Sequence, residues 1–118
     1  DLVASTRAAI KENELIVVTQ AGPTTAAAAR GIEIPGNTVI GAFNNDFAVR
    51  LLVLSTPAMI EAPIRFYVTE NADGTATLSY KTPSYVLAPY GEGEDAISEI
   101  SVELDTLFAQ VAAQATTP

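Results

Sequence analysis

The residues best suited to chemistry are three consecutive polar side chains, Asn44, Asn45 and Asp46, between a predicted strand and a predicted helix. The first turn of a helix carries unpaired backbone N–H groups, so a junction of this kind can bind an anion. The same residue types also form ordinary helix N-caps, which is their commoner role. These three residues are the candidate ligand-binding site.

Other chemistry is limited by composition, because the chain contains neither histidine nor cysteine. Thiol nucleophiles, Ser-His-Asp triads and zinc-finger sites are therefore excluded. Carboxylates, tyrosines and two lysines remain as acid–base candidates, but none stands in a recognisable constellation. The acids Glu92, Glu94 and Asp95 do not follow the spacing of a calcium loop. We expect no catalytic residue, no metal site and no cofactor, and hence a protein that is not an enzyme.

Length and charge narrow the class of protein further. The 118 residues suit a single domain, 1–118, and 48% hydrophobic against 17% charged residues indicates a globular chain. A formal net charge of −8 argues against nucleic acid and against anionic membrane surfaces as partners. We expect no membrane span, because no apolar run approaches the roughly 20 residues required. The start at Asp1 fits a processed protein, so we predict an extracellular or cell-surface location.

The clearest structural signal is a β-hairpin over residues 62–81. Ile64, Phe66 and Val68 alternate with polar residues, which predicts a strand with one apolar face. Residues 71–74 form the turn, where Asp73 can bond the backbone and Gly74 can adopt a positive φ. Four tyrosines gather around this hairpin and provide either a contact surface or cross-strand pairs: Tyr67, Tyr80, Tyr85 and Tyr90.

The remaining elements predict an α+β two-layer sandwich. Strands are predicted at 14–20 and 38–43, and the principal helices at 2–13, 47–54 and 94–115, with short helical segments at 26–29 and 84–89 and a break at 91–93. The expected sheet is small and mostly antiparallel, with about four strands and helices packed on one face. The last helix should lie across the sheet with its apolar stripe facing the hairpin.

The segment 41–87 resembles the family called domain of unknown function 302. The matching features are a strand with Gly41 and Asn44, the Ala62-Pro63 entry to a strand, the Asp73-Gly74 turn, the return Leu78-Ser79-Tyr80, and Pro83 with Tyr85. The stretch 26–35 is similar to the family's alanine-rich segment. These features imply a fold more than an activity.

Two departures from the family pattern affect the predicted function. Family members often carry an Asp-His pair near Gly22-Pro23, and any ligand role of that histidine is absent here. The family also usually begins with a strand before its first helix, whereas this chain starts inside the helix. The domain is therefore expected to lack that first strand, which would leave one edge of the sheet open.

Two hypotheses for function follow. The first is a secreted, non-catalytic structural subunit that self-associates into a homo-oligomer or an extracellular filament by strand addition at an open sheet edge. The candidate edge residues are Leu15, Val17, Thr19, Ile64, Phe66 and Val68. The alternative is a small soluble dimeric module that binds an anionic or apolar small ligand near Asn44, Asn45 and Asp46.

Overall fold

The sheet is a four-stranded antiparallel meander. The computed structural model describes residues 1–91 and 95–117. Its strands are β1 (Ile16–Ala21), β2 (Asn37–Phe43), β3 (Ile64–Glu70) and β4 (Ala76–Tyr80), and they lie side by side in chain order. Each strand pairs antiparallel with the next, which confirms the predicted sheet.

The described residues also form five helices: α1 (Leu2–Glu12), α2 (Thr24–Ala29), α3 (Asn45–Leu54), α4 (Pro83–Leu87) and α5 (Asp95–Thr116). Two short 3-10 segments, Pro57–Glu61 and Ala88–Tyr90, precede β3 and follow α4. The predicted break at 91–93 and the acids Glu92 and Glu94 lie largely outside the described residues. Among the helices described, none combines the length and apolar character needed to cross a membrane.

One layer of helices covers one face of the sheet. The long helix α5 packs beside α1 and α4. Asn13, at the end of α1, joins the first helix to α5, because its Nδ2 donates to Gln114 Oε1 at 2.9 Å. The side chains that α5 buries follow its 3.6-residue period: Ile97, Ile100, Leu104, Phe108 and Val111. They meet the inward residues of β2 and β3, namely Ile40, Ala42, Ile64, Phe66 and Val68.

The contact between α5 and the hairpin is aromatic. The rings of Phe66 and Phe108 stack with centroids 4.7 Å apart, and Tyr80 lies 5.3 Å from Phe66 in a tilted arrangement. Phe66 and Phe108 are both completely buried. The predicted packing of the last helix against the hairpin is therefore confirmed.

The hairpin turn follows its sequence signals. Gly74 has φ +87°, and Asp73 Oδ1 accepts hydrogen bonds from the backbone N–H and the hydroxyl of Thr75 at 3.0 and 2.6 Å. The hydroxyl bond from Thr75 lowers the pKa of the Asp73 carboxyl because it stabilises the ionised form. Asp73 therefore fixes the end of the hairpin, and with it the register of β4 against β3.

The prediction that Ile64, Phe66 and Val68 form an open edge is wrong. These residues lie on β3, which is bonded to β2 on one side and to β4 on the other, so no backbone groups remain for another chain. Their side chains are buried against the helices. Alternation along a strand identifies the apolar face and carries no information about neighbouring strands.

The edge prediction for β1 needs a correction of a different kind. β1 is an edge of the described sheet, but a bulge lies between Val17 and Thr19. Val17 pairs with Ala42 on the inner face and Thr19 pairs with Gly41 on the outer face, while Leu15 is buried just before the strand. The three residues therefore do not form one continuous surface.

We expect Phe108→Ala to lower the free energy of unfolding by about 3–5 kcal/mol, because it removes a buried ring and leaves a cavity against Phe66. Val102→Ala is the matched control, since Val102 lies on the same helix and is 63% exposed. That variant should change stability by less than about 0.5 kcal/mol. Urea unfolding measures both, and equal losses in the two variants would contradict the assigned core.

Candidate functional site

Of the three predicted binding residues, Asn44 has a structural role as a helix cap. Asn44 caps α3, because its Oδ1 accepts from the Phe47 N–H at 2.9 Å while its Nδ2 donates to the Glu14 carbonyl at 3.3 Å. Asn44 and Asn45 border a cavity of about 220 Å³, whose other lining residues are apolar. Asp46 is exposed in the first turn of α3 and does not line it. Because no described lining residue is basic, this cavity lacks a counter-charge for an anion.

A second cavity, of about 480 Å³, lies on β2, β3 and β4 and is called the sheet groove below. Its floor and walls combine apolar side chains with two cations and a few hydrogen-bonding groups. Its lining residues are Asn37, Val39, Glu61, Ile64, Arg65, Tyr67, Ser79, Tyr80, Lys81 and Val86. Its volume lies within the range of about 300–1,000 Å³ that is usual for sites of small molecules.

Strand register places the main groups of the sheet groove. Val39, Tyr67 and Ser79 are direct partners across β2, β3 and β4, so they share the face opposite the helix layer. Arg65 lies two residues before Tyr67 on the same strand and therefore on the same face. The β3–β4 register pairs Phe66 with Tyr80, and continuing it by one residue sets Lys81 opposite Arg65.

This register brings two positive charges together in an acidic protein. Like charges that face each other across a strand pair destabilise a sheet. Among residues 1–91 and 95–117, the salt bridge that forms is Arg50–Glu103, and neither Arg65 nor Lys81 has a carboxylate partner. Lys81 Nζ lies 6.0 Å from the centre of the Tyr85 ring. Both charges are exposed at the sheet groove and are available to an anion.

Glu61, the acid that lines the sheet groove, is hydrogen-bonded to a tyrosine. Glu61 Oε2 accepts a hydrogen bond from the Tyr90 hydroxyl at 2.6 Å, which joins the two 3-10 segments. This bond raises the pKa of the Tyr90 hydroxyl, because a phenolate beside a carboxylate is unfavourable. Glu61 is hydrogen-bonded to Tyr90 and not to either cation, so the positive charge of the groove is not cancelled by an ion pair.

Tyr67 lies at the centre of the outer face. Its hydroxyl oxygen accepts from Asn37 Nδ2 at 2.5 Å, although its direct neighbour on β2 is Val39. The ring therefore leans diagonally across β2 toward Asn37. Because the hydroxyl oxygen is used as an acceptor, its own hydrogen remains available to a ligand.

Side-chain atoms of Thr19 and Pro63 crowd the space over Gly41, the β2 partner of Arg65. A Cβ on Gly41 would overlap Thr19 Oγ1 and lie only 2.6 Å from Pro63 Cγ, so a larger residue would displace both side chains. Gly41 is itself buried beneath them. Thr19 and Pro63 therefore bound the outer face on the β2 side of Arg65, and the groove beside this cation lies toward Ser79 and Lys81.

In the part of the chain that the structure describes, the fold is a two-layer α+β domain with helices on one face of the sheet and the sheet groove on the other. The chain belongs to the family described as Domain of unknown function DUF302, whose model matches residues 1–115. This confirms the family resemblance inferred from the sequence.

A solved structure shows the same fold. It is the crystal structure of an uncharacterized conserved protein DUF302 from Bacillus stearothermophilus, with a TM-score of 0.82 and 16% sequence identity. The similarity covers 97% of this chain and 88% of that one. Among curated proteins, no significant match to this chain is found.

Sequence analysis identified the tyrosines around the hairpin but missed the paired cations. The signal was present, because a turn centred on Asp73 sets position 65 opposite position 81 once the register is known. Neither cation belongs to a recognised motif, so their residue types alone do not indicate a site. Asn37 carried no signal, because its bond to Tyr67 depends on how β2 and β3 pair.

We expect Glu61→Gln to return the pKa of the Tyr90 hydroxyl toward its ordinary value, because a neutral amide does not oppose the phenolate. An alkaline titration of tyrosinate absorbance measures this, and Tyr90→Phe identifies the Tyr90 contribution. Glu33→Gln is the control, since Glu33 is exposed and has no tyrosine bonded to it in the described chain. Identical curves for wild type and Glu61→Gln would disprove the contact.

Proposed function

We propose that this protein is a non-catalytic binding module for a small organic anion held in the sheet groove. The observation that carries the proposal is the pair of cations, Arg65 and Lys81, placed opposite each other without a carboxylate partner in the described chain. An anion between them would remove their repulsion. The proposal keeps the binding-module hypothesis and moves its site from residues 44–46 to the outer face of the sheet.

The contribution of each cation follows from its chemistry. Arginine can donate two parallel hydrogen bonds to a carboxylate, whereas lysine acts as a compact point charge. A hydrogen bond to a charged group contributes about 1.5–3 kcal/mol, with exposed sites at the low end because water screens the charge. Since Arg65 and Lys81 are exposed, we expect each to contribute about tenfold in affinity.

The apolar part of the sheet groove supplies the remaining affinity. Val39 and Val86, which are both partly exposed, border the groove beside the two cations. Burial of apolar ligand surface stabilises a complex by about 25 cal/mol per Å² before the entropic costs of association are subtracted. A ligand with a charged end and an apolar body therefore fits this lining better than a small inorganic ion does.

We expect Arg65→Ala and Lys81→Ala each to raise the Kd of a fluorescent organic anion, anilinonaphthalene sulfonate, by about tenfold, or about 1.4 kcal/mol. Lys11→Ala is the matched control, because it removes the same charge from α1, in the helix layer on the other face of the sheet. It should leave the Kd within about twofold of wild type. Fluorescence titration measures the Kd, and NMR shifts at Tyr67 and Ser79 locate the probe.

Three results would contradict the proposal. The first is the absence of saturable binding by the wild-type protein, and the second is an equal loss in Lys11→Ala. The third is a set of NMR shifts confined to the cavity beside Asn44, which would restore the site predicted from the sequence. Circular dichroism of each variant separates a loss of binding from a loss of fold.

A second candidate function is self-association at β1, the hypothesis of a structural subunit. The observation in its favour is that this edge strand exposes two apolar side chains, with Ile16 49% and Val18 52% exposed. The bulge between Val17 and Thr19 counts against simple strand addition, because bulges interrupt the ladder and are a common device for protecting sheet edges. Ligand binding therefore has the stronger support.

If β1 mediates self-association, Val18→Lys should yield folded monomers while the wild type forms oligomers or filaments. Val18 is the suitable position, because Val17 packs on the helix side and a lysine there would disturb the core. Light scattering measures the particle mass, and Val53→Lys is the control, since Val53 is 80% exposed on α3. A monomeric wild-type protein, or unchanged assembly of Val18→Lys, would rule out this route.

A further inference from the structure

We propose that the sheet groove selects an aromatic carboxylate, with the ligand's ring on Tyr67 and its carboxylate between Arg65 and Lys81. This inference rests on the proposed function and adds the chemical class of the ligand. It depends on three features of the outer face: the orientation of the Tyr67 ring, the small residues beside it, and its distance from the two cations.

The first feature is a flat aromatic surface. The hydrogen bond from Asn37 Nδ2 anchors the Tyr67 hydroxyl over β2, so the side chain leans across the neighbouring strand. Tyr67 is 38% exposed, which leaves part of the ring open to the sheet groove. A ring anchored at its far end loses little further freedom when a planar ligand stacks on it.

The second feature is the low relief around this ring. Tyr67 has Ser79 as its partner on β4, and Arg65 has Gly41 as its partner on β2. The small side chain of Ser79 leaves the sheet low on the β4 side of Tyr67, whereas Thr19 and Pro63 cover Gly41 and bound the groove on the β2 side of Arg65. A planar ligand can therefore approach the Tyr67 ring and the Arg65 guanidinium together.

The third feature is spacing. Residues two apart on one strand face are separated by about 6.8 Å, so the bases of the Arg65 and Tyr67 side chains stand at this distance. Because the Tyr67 side chain leans toward Asn37 and away from Arg65, a ligand that stacks on it must span more than this distance to place its carboxylate between Arg65 and Lys81, which directly follows β4. An acid built on two fused rings is long enough for this. Arginine binds a planar carboxylate with two parallel hydrogen bonds, which suits the plane of an aryl acid.

The hydroxyl of Tyr67 adds a further contact. Its oxygen is occupied by Asn37, so its hydrogen can be donated to an acceptor on the ligand, such as a ring hydroxyl or carbonyl oxygen. The groove therefore favours an aryl acid with an oxygen substituent over a plain hydrocarbon acid. The amide of Asn37 acts as a positioning group for Tyr67.

The test compares naphthoate with decahydronaphthoate, its saturated counterpart with the same carbon skeleton and the same carboxylate. Isothermal titration calorimetry gives both Kd values, and naphthalenemethanol serves as the neutral control. We expect wild type to bind naphthoate about fivefold to tenfold more tightly than decahydronaphthoate, the size of an aromatic pair contact. The neutral alcohol should bind at least tenfold more weakly than naphthoate.

Variants of Tyr67 test whether its ring causes the preference for naphthoate over decahydronaphthoate. Tyr67→Leu should remove the preference for naphthoate and leave the Kd of decahydronaphthoate within about twofold, because leucine retains apolar surface without a ring. Tyr67→Phe should keep most of the preference, since the ring remains. Tyr67 is partly exposed, so both variants are expected to fold, and circular dichroism checks this.

The outcomes separate this inference from the proposed function. Equal binding of the two acids by wild type, or a preference that survives in Tyr67→Leu, overturns the aromatic assignment and leaves anion binding intact. Failure of both acids to bind overturns anion binding and the aromatic assignment together. Loss of the preference in Tyr67→Leu alone, with binding of the saturated acid retained, supports the assignment.

Discussion

The packing of α5 against the hairpin determines the rest of the structure. Phe108 and Phe66 stack at 4.7 Å in the middle of a single helix layer, with α1 and α4 beside α5. Within residues 1–91 and 95–117, the helices that form this layer lie on one side of a four-stranded sheet, so they leave the outer face of β2, β3 and β4 uncovered. The site discussed above follows from this asymmetry, since a second helix layer would bury Tyr67 and require a different residue there.

The outer face of the sheet carries two close positive charges, although the protein as a whole is negative. The chain has 6 basic and 14 acidic residues, and two of the six basic residues meet at the sheet groove. At long range the net negative charge repels an anion, whereas at the groove Arg65 and Lys81 attract it within a few ångströms. Such a site favours ligands that gain affinity from apolar contact as well as charge. A small, highly charged anion meets the same repulsion without that gain.

How far the sequence predicts this structure differs from element to element. The 3.6-residue period of residues 97–111 and the alternation of Ile64, Phe66 and Val68 each identify a buried face, and both faces are where the structure places them. The order of the strands depends on how they pair, and alternation alone does not distinguish an edge strand from a central one. The structure shows that β3 is central. The bulge near Val17 arises from pairing as well, and no proline or glycine in β1 signals it.

The candidate site was less accessible to sequence analysis for a related reason. Asn44 has the residue type and position of an N-cap, and its two internal hydrogen bonds show that the commoner interpretation applies. Arg65, Tyr67, Asn37 and Lys81 come from three parts of the chain and meet through the register of three strands. Each one alone is an ordinary surface residue of a hairpin or strand.

Fold and site are also under different physical constraints within the family. At 16% identity the fold is retained over 97% of this chain, so most side chains can change while the layer packing persists. Inward residues such as Phe66 are limited by packing against α5, whereas outward residues such as Arg65 and Tyr67 contribute little to that core. Replacing the outward set would alter ligand chemistry without disturbing the fold. Membership of the family therefore accounts for the layer packing, whereas the chemistry of the outer sheet face depends on the residues that this chain places there.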